Sequence, residues 1–133
     1  MRVVLDTNIV ISALFWGGRP RRVVDLAAAG RFQAVTSLEL LAELEDVLAE
    51  DFDIPQPRID LVLRDVLSYA ELAAPTEEPE VAIRDPADVK VVTCALAGRA
   101  DFIVTGDADL LVLGEVEGVK VLTVGAFLEA HEW

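Results

Sequence analysis

The chain has 133 residues, 53% hydrophobic and 26% charged, with 24 acidic against 11 basic residues and a formal net charge of −13. Such a composition suits a globular chain the size of one domain, 1–133, and argues against tight nonspecific nucleic-acid binding driven by counterion release, without excluding a nucleic-acid substrate. The single Cys94 excludes an internal disulfide, and the single His131 argues against a zinc centre or a Ser-His-Asp triad.

No apolar run approaches the roughly 20 residues of a membrane span. Met1 leads straight into a strand pattern, without a basic leader or a cleavage site, and cysteine usage fits a reducing compartment. The expectation is a cytoplasmic protein with no membrane partner.

In chain order, Val3, Val4 and Leu5 form a continuous apolar run that predicts a buried strand over 2–5, ending at Asp6. Asp6 or Asn8 can cap a short helix ending near Phe15-Trp16. Gly17-Gly18-Arg19-Pro20 reads as a breaker before a helix over 21–29, closed by Gly30. Arg19, Arg21 and Arg22 make the densest basic cluster in the chain.

A strand over 32–36 follows, then a helix capped by Ser37 and running to about Glu50. Its apolar stripe is Leu40, Leu41, Leu44, Val47 and Leu48. Residues 53–57 form a turn-rich connection. The pattern over 58–72 predicts a helix with Leu61, Val62, Val66, Leu67 and Tyr69 in the core. An acidic, proline-bearing connection covers 75–80, and 81–83 reads as a short edge element. Asp85-Pro86 opens a helix to Ala97, ended by Gly98. A buried strand over 100–105, a short strand over 119–122 and a helix over 125–131 complete the chain, with Cys94 expected in the core. Alternating strands and helices predict an α/β protein: a three-layer α/β/α sandwich around a central, mostly parallel, Rossmann-like sheet.

The carboxylates stand out against this frame. Asp6 ends a central strand, which is also an ordinary place for a helix cap. In open α/β sheets that rim is where ligands bind. Glu43 and Glu45 both flank the stripe of their helix at about 100°, so periodicity leaves the choice between them open. Asp88 is in register with Val91, Val92 and Ala95, on the face the helix buries. A carboxylate there must be paired, hydrogen-bonded or metal-bound; a capping box with Asp85 is the plainer reading. Asp107 and Asp109 follow a buried strand through Gly106, as an ordinary turn also would. Two strand ends and two helix starts thus offer acids to one sheet edge. Four carboxylates repel without counter-charge, and hard oxygen donors suit Mg²⁺ or Mn²⁺. Such a set is the protein half of a two-metal phosphodiester hydrolysis site.

With these residues in view, the chain resembles the PIN domain family, above all its small stand-alone prokaryotic members, among them toxins of toxin–antitoxin pairs. The segments that carry the resemblance are Val-Leu-Asp-Thr-Asn (4–8), Ser-Leu-Glu-Leu-Leu-Ala-Glu-Leu (37–44), Arg-Asp-Pro-Ala-Asp (84–88) and Ile-Val-Thr-Gly-Asp-Ala-Asp-Leu-Leu (103–111). The resemblance implies a PIN-like fold and a Mg²⁺- or Mn²⁺-dependent endoribonuclease leaving 5′-phosphate and 3′-hydroxyl ends by two-metal hydrolysis. It implies Asp6, Glu43, Asp88 and Asp107 as catalytic, metal-holding acids, with Asp109 as an auxiliary ligand and Asn8, Ser37 and Thr105 as supporting polar groups. It selects Glu43 over Glu45 and makes Asp85 a lesser partner of Asp88, read as the cap. Val89 stands where related chains often carry Asn, which bears on substrate contact and not on the metal.

Arg19, Arg21 and Arg22 are the candidates for holding an RNA backbone; a solvated helix start is their plainer reading. A homodimer, with Phe15 and Trp16 as interface candidates, and a cognate antitoxin are the implied partners. The alternative within the family is a catalytically silent scaffold that binds a partner. Two other α/β classes fit less well. A dehalogenase-type phosphatase needs a second Asp where Asn8 stands, and a receiver domain needs a late Lys in a context Lys120 lacks.

Overall fold

A computed structural model describes residues 1–75, 83 and 85–133. Its elements are β1 (Arg2–Leu5), α1 (Thr7–Phe15), α2 (Gly18–Ala28), β2 (Gln33–Ser37), α3 (Leu38–Glu50), α4 (Gln56–Tyr69), β3 (Ala70–Ala73), α5 (Pro86–Ala97), β4 (Phe102–Val104), α6 (Ala108–Leu111), β5 (Glu115–Val116), β6 (Val119–Leu122) and α7 (Val124–Ala130). They build one sheet in the order β3-β2-β1-β4-β6-β5. Every pairing is parallel except β5 with β6. The chain winds outward from β1 to β3, then returns through α5 to place β4 on the other side of β1. The sheet therefore has its switch point between β1 and β4, where a crevice opens at the carboxyl ends of the strands.

Strand periodicity sorts the apolar side chains into two cores. Val3, Leu5, Ala34 and Val104 face one side, against residues of α1, α2, α3, α4 and α7. Val4, Val35, Ile103 and Val121 face the other, against Val91, Val92, Cys94 and Ala95 of α5 and Leu110 of α6. Burial on both faces is why β1 and β4 read as unbroken apolar runs. Gly98, the C-cap of α5, lets that helix sit close on β2: a Cβ there would lie 2.5 Å from Val35 Cγ1 and 3.1 Å from the Cys94 carbonyl oxygen. Gly98→Ala is expected to lose about 1–3 kcal/mol through this overpacking, read as a lower urea midpoint with an unchanged slope.

Four readings of the sequence need correction. The helix expected over 58–72 stops at Tyr69, because Ala70 turns extended (φ −111°, ψ 139°) and the chain pairs with the open edge of β2 as β3. Nothing in Ala-Glu-Leu-Ala favours a strand; the free ladder of β2 imposes it. The buried stripe of α4 is also rotated from the expected one: Ile59 and Val66 are buried, whereas Leu61 is 60% and Leu67 47% exposed. The run Gly17–Pro20 is less a breaker than a helix start, since α2 begins at Gly18 with Pro20 in its first turn, where Pro needs no intrahelical donor. Finally, α6 and the β5–β6 hairpin were unforeseen; the hairpin turns on Glu117 (φ 47°) and Gly118 (φ 89°), a two-residue loop with both φ positive. Of the connection at 75–80 and the edge element at 81–83, only Pro75 and Ile83 lie among the described residues, and Ile83 is not in a strand.

Candidate metal centre

Asp6 is the first residue beyond β1. Its amide donates to the Val104 carbonyl of β4 at 3.0 Å, and its side chain caps α1. Oδ1 accepts the Thr7 amide at 2.8 Å; Oδ2 accepts the Thr105 hydroxyl at 2.6 Å and Asn8 Nδ2 at 3.3 Å. It is therefore a cap as well as a rim carboxylate, held in one orientation by three donors. Burial pushes its carboxyl up, partly offset by the Thr105 and Thr7 bonds, with the charge of Asp107 adding to the rise.

Thr105, wholly buried at the end of β4, ties the two strand ends together. While donating to Asp6, its hydroxyl accepts the Asp107 amide at 2.9 Å. Asp107 in turn caps α6 by accepting the Asp109 amide at 2.8 Å.

Asp88 comes from the opposite side, in the first turn of α5, and is only 4% exposed. Asp85 caps this helix through the Ala87 amide at 2.9 Å, with Pro86 following, as the sequence suggests. The reciprocal half of a capping box is not made: Asp88 Oδ2 is buried with no hydrogen-bond partner. Burial pushes its carboxyl up to about 7, reinforced by the neighbouring carboxyl of Asp107 and by the charges of Asp85 and Asp6. Asp85, Asp88 and Asp107 each offer an oxygen within 4.8 Å of the others.

Glu43 lies on α3. Burial, then the charge of Asp6, pushes its carboxyl up, against the influence of Thr7 and Lys90. Its Oε2 is likewise buried without a hydrogen-bond partner, with Lys90 Nζ 4.0 Å away. Asp6, Thr7, Asn8, Glu43, Asp88 and Asp107 line one cleft of about 210 Å³, floored by Ile11, Val47 and Ala87.

The four acids singled out from the sequence thus meet, at the switch point of the sheet. Asn8 is with them: besides reaching Asp6 it accepts the Gly106 amide at 3.4 Å. Other candidates lie elsewhere. Ser37 is buried and caps α3 through the Leu40 amide, without lining the cleft. Asp109 is exposed and reaches the cluster only through its backbone. None of the three arginines lines the cleft: Arg21 pairs with Asp25 at 3.0 Å, and Arg19 lies beside Gly125 at the start of α7. Sequence reasoning missed Thr7 and Lys90; Asp85, read as the cap and a lesser partner of Asp88, does both. A signal existed for Lys90, the one basic residue of α5, two positions after Asp88.

Fold and rim together define an α/β protein whose acidic cleft lies at the switch point of a parallel sheet. A family model for the PIN domain matches residues 2–109, and the chain belongs to that family. No curated protein matches it. Among solved structures it is similar to a chain in the crystal structure of VapBC2 from Rickettsia felis bound to a DNA fragment from their promoter, with 18% identity and a TM-score of 0.67. The match covers 92% of this chain and 98% of that one. At this identity the likeness is one of fold, and it extends over nearly the whole length of both chains. No described helix is long and apolar enough to cross a membrane.

Proposed function

We propose that this chain is a Mg²⁺- or Mn²⁺-dependent endoribonuclease, with Asp6, Glu43, Asp88 and Asp107 as its working acids. The observation that carries the reading is the convergence of these four carboxylates, two of them with a buried oxygen that no hydrogen bond satisfies. A buried, unpaired carboxylate oxygen calls for a counter-charge. The donor set is all oxygen, and hard divalent ions take such sets, so the residues fit the ion. Asp88 and Asp107 would hold it, with Asp85 within reach and Asp6 and Glu43 at the cleft wall.

When bound, such an ion supplies Lewis acidity and neutralises charge at the phosphate. The protein's own part is positional. Asp6, which lines the cleft, is locked by three donors, two on Oδ2 and one on Oδ1, which leaves one acceptor site, on Oδ1, in a fixed carboxylate. Asp88 must give up its proton to serve, which its burial opposes and a cation favours. The cleft is open enough for a phosphodiester and offers no Cys or His nucleophile, so hydrolysis by an oriented water is the chemistry it supports.

The likeness to VapBC2 and the PIN family membership support a toxin role, with a cognate antitoxin, a homodimeric assembly and a cytoplasmic place of action. All of these belong to the proposal, as does the reading of 1–133 as a single domain.

The test is cleavage of a mixed-sequence RNA by the purified chain with Mn²⁺ or Mg²⁺, beside EDTA and an Asp6→Asn control. Cleavage to 5′-phosphate ends is expected from the native chain alone. Cleavage that survives Asp6→Asn would reject the site. Metal binding without cleavage of any RNA would favour the silent scaffold.

A further inference from the structure

We propose that Lys90 is a tethered counter-ion that competes with the divalent cation for Glu43, and so sets how readily the centre fills. The inference rests on the metal-dependent reading above and concerns its regulation. Glu43 Oε2 is buried and accepts no hydrogen bond. Among the described residues, the cation facing it is Lys90 Nζ, at 4.0 Å. That separation is inside ion-pair range and outside hydrogen-bond range, so the two groups share charge without a fixed bond.

The pairing is built for exchange. The side chain of Lys90 is 40% exposed and that of Glu43 25%, and ion pairs of this kind are weak and screened by salt. A Lys stem has four rotatable carbons and swings to solvent at little cost. Lys90 also comes from the same helix as Asp88, whose own buried oxygen lacks any partner. The cleft therefore holds two orphan carboxylate oxygens in different states. Asp88 faces other acids and depends on a proton or a metal for relief. Glu43 already has a positive charge beside it, which a divalent ion must displace before using that carboxylate. By linkage, whatever stabilises Glu43 in the empty site weakens the cation that needs it by the same factor.

The experiment is a two-by-two cycle of Mn²⁺ binding, read by calorimetry and by the loss of free Mn²⁺ signal in electron paramagnetic resonance, at low salt. The chains are the native one, Lys90→Met, Glu43→Gln and the double variant, with thermal melts to verify folding. Lys90→Met is expected to bind Mn²⁺ about tenfold more tightly than the native chain, an advantage that shrinks at high salt. Lys90→Arg should behave as native, and Lys90→Gln, which keeps the polar stem, should tighten binding if the Met variant folds poorly. In the Glu43→Gln background, removing Lys90 should change affinity less than about threefold.

Equal tightening in both backgrounds would make Lys90 a bystander charge and overturn the proposal. Unchanged affinity on Lys90→Met, or no Mn²⁺ binding by any of the four chains, would overturn it as well. The cycle needs no catalysis, so the two readings fail separately. Coupling without RNA cleavage would reject the nuclease and keep the counter-ion. Cleavage without coupling would do the reverse.

Discussion

Asp88→Asn is expected to abolish RNA cleavage and, at the same time, to make the metal-free protein more stable. The two effects share one cause. Asp88 is buried, faces Asp107, Asp85 and Asp6, and holds its proton up to about pH 7. In the unfolded chain the same carboxyl loses its proton near about pH 4. Between those values the folded state carries a proton that the unfolded state has lost. Stability contributed by this group is thus greatest at acid pH, falls as pH rises from about 4 to about 7, and stays lost above that. Asp6 and Glu43 are displaced in the same direction, so they add to the trend. Removing the Asp88 charge removes its share of the penalty. The full displacement would correspond to about 4 kcal/mol; relaxation around a buried charge lowers the expected gain to about 2 kcal/mol. For a chain of this size that is a rise in Tm of about 6–10 °C at pH 8 without metal, vanishing near pH 4. With saturating Mn²⁺ the order reverses, because the native chain gains by mass action and the variant gains little. Cleavage should fall about a hundred- to thousandfold. Melts of both proteins at pH 4 and pH 8, with and without Mn²⁺, test all of this. An Asn variant destabilised alike at both pH values would show that Asp88 serves packing, and would remove it from the site.

This trade explains why Asp88 was conspicuous in the sequence. A carboxylate in register with Val91, Val92 and Ala95 breaks the rule that a buried face is apolar, and the structure shows it buried with one oxygen unpaired among the described residues. Asp6 and Asp107 were legible for another reason: each ends an apolar run that can only be a central strand, and two parallel central strands bring their ends to one rim. Glu43 was not legible on these terms. Glu43 and Glu45 are equivalent on a helical wheel, and only the way α3 leans across α1 and α5 decides which one reaches the cleft.

The misreadings have physical reasons too. The strand at Ala70–Ala73 exists because β2 has an open edge, a fact that no local pattern contains. The core expected for α4 included Leu61 and Leu67, because a helix with several scattered leucines offers two stripes and packing selects one. The basic run Arg19–Arg22 is prominent as text yet lies outside the cleft. Lys90 is inconspicuous as text and stands 4.0 Å from a buried carboxylate. Proximity across the fold, and not local charge density, decides which cation matters to the site.

Thr105→Val should weaken both the fold and the centre, and Thr105→Ser should restore the centre. The hydroxyl makes two bonds at once, donating to Asp6 Oδ2 at 2.6 Å and accepting the Asp107 amide at 2.9 Å, in a wholly buried position. Val fills the same volume but leaves the Asp107 amide without its acceptor and takes one donor from Asp6. An orphaned buried group costs about 1–3 kcal/mol, so Tm should fall by about 4–10 °C. The larger consequence is positional. Asp6 and Asp107 follow different strands, and among the described residues Thr105 is the one side chain bonded to both. Without it, what links them is the backbone and the longer bonds of Asn8 to Asp6 and to the Gly106 amide. Partners of this kind, one bond removed from a metal, are typically worth about 10–100-fold in affinity or activity. Both Mn²⁺ affinity and RNA cleavage should therefore drop by about that factor at a temperature where the variant is fully folded. Ser keeps the hydroxyl and loses a methyl, so it should recover affinity and cleavage while remaining somewhat less stable. If Val and Ser lose affinity equally, the methyl packing of Thr105 would matter and its hydroxyl would not, and the bridge between the two strand ends would have no part in holding the centre.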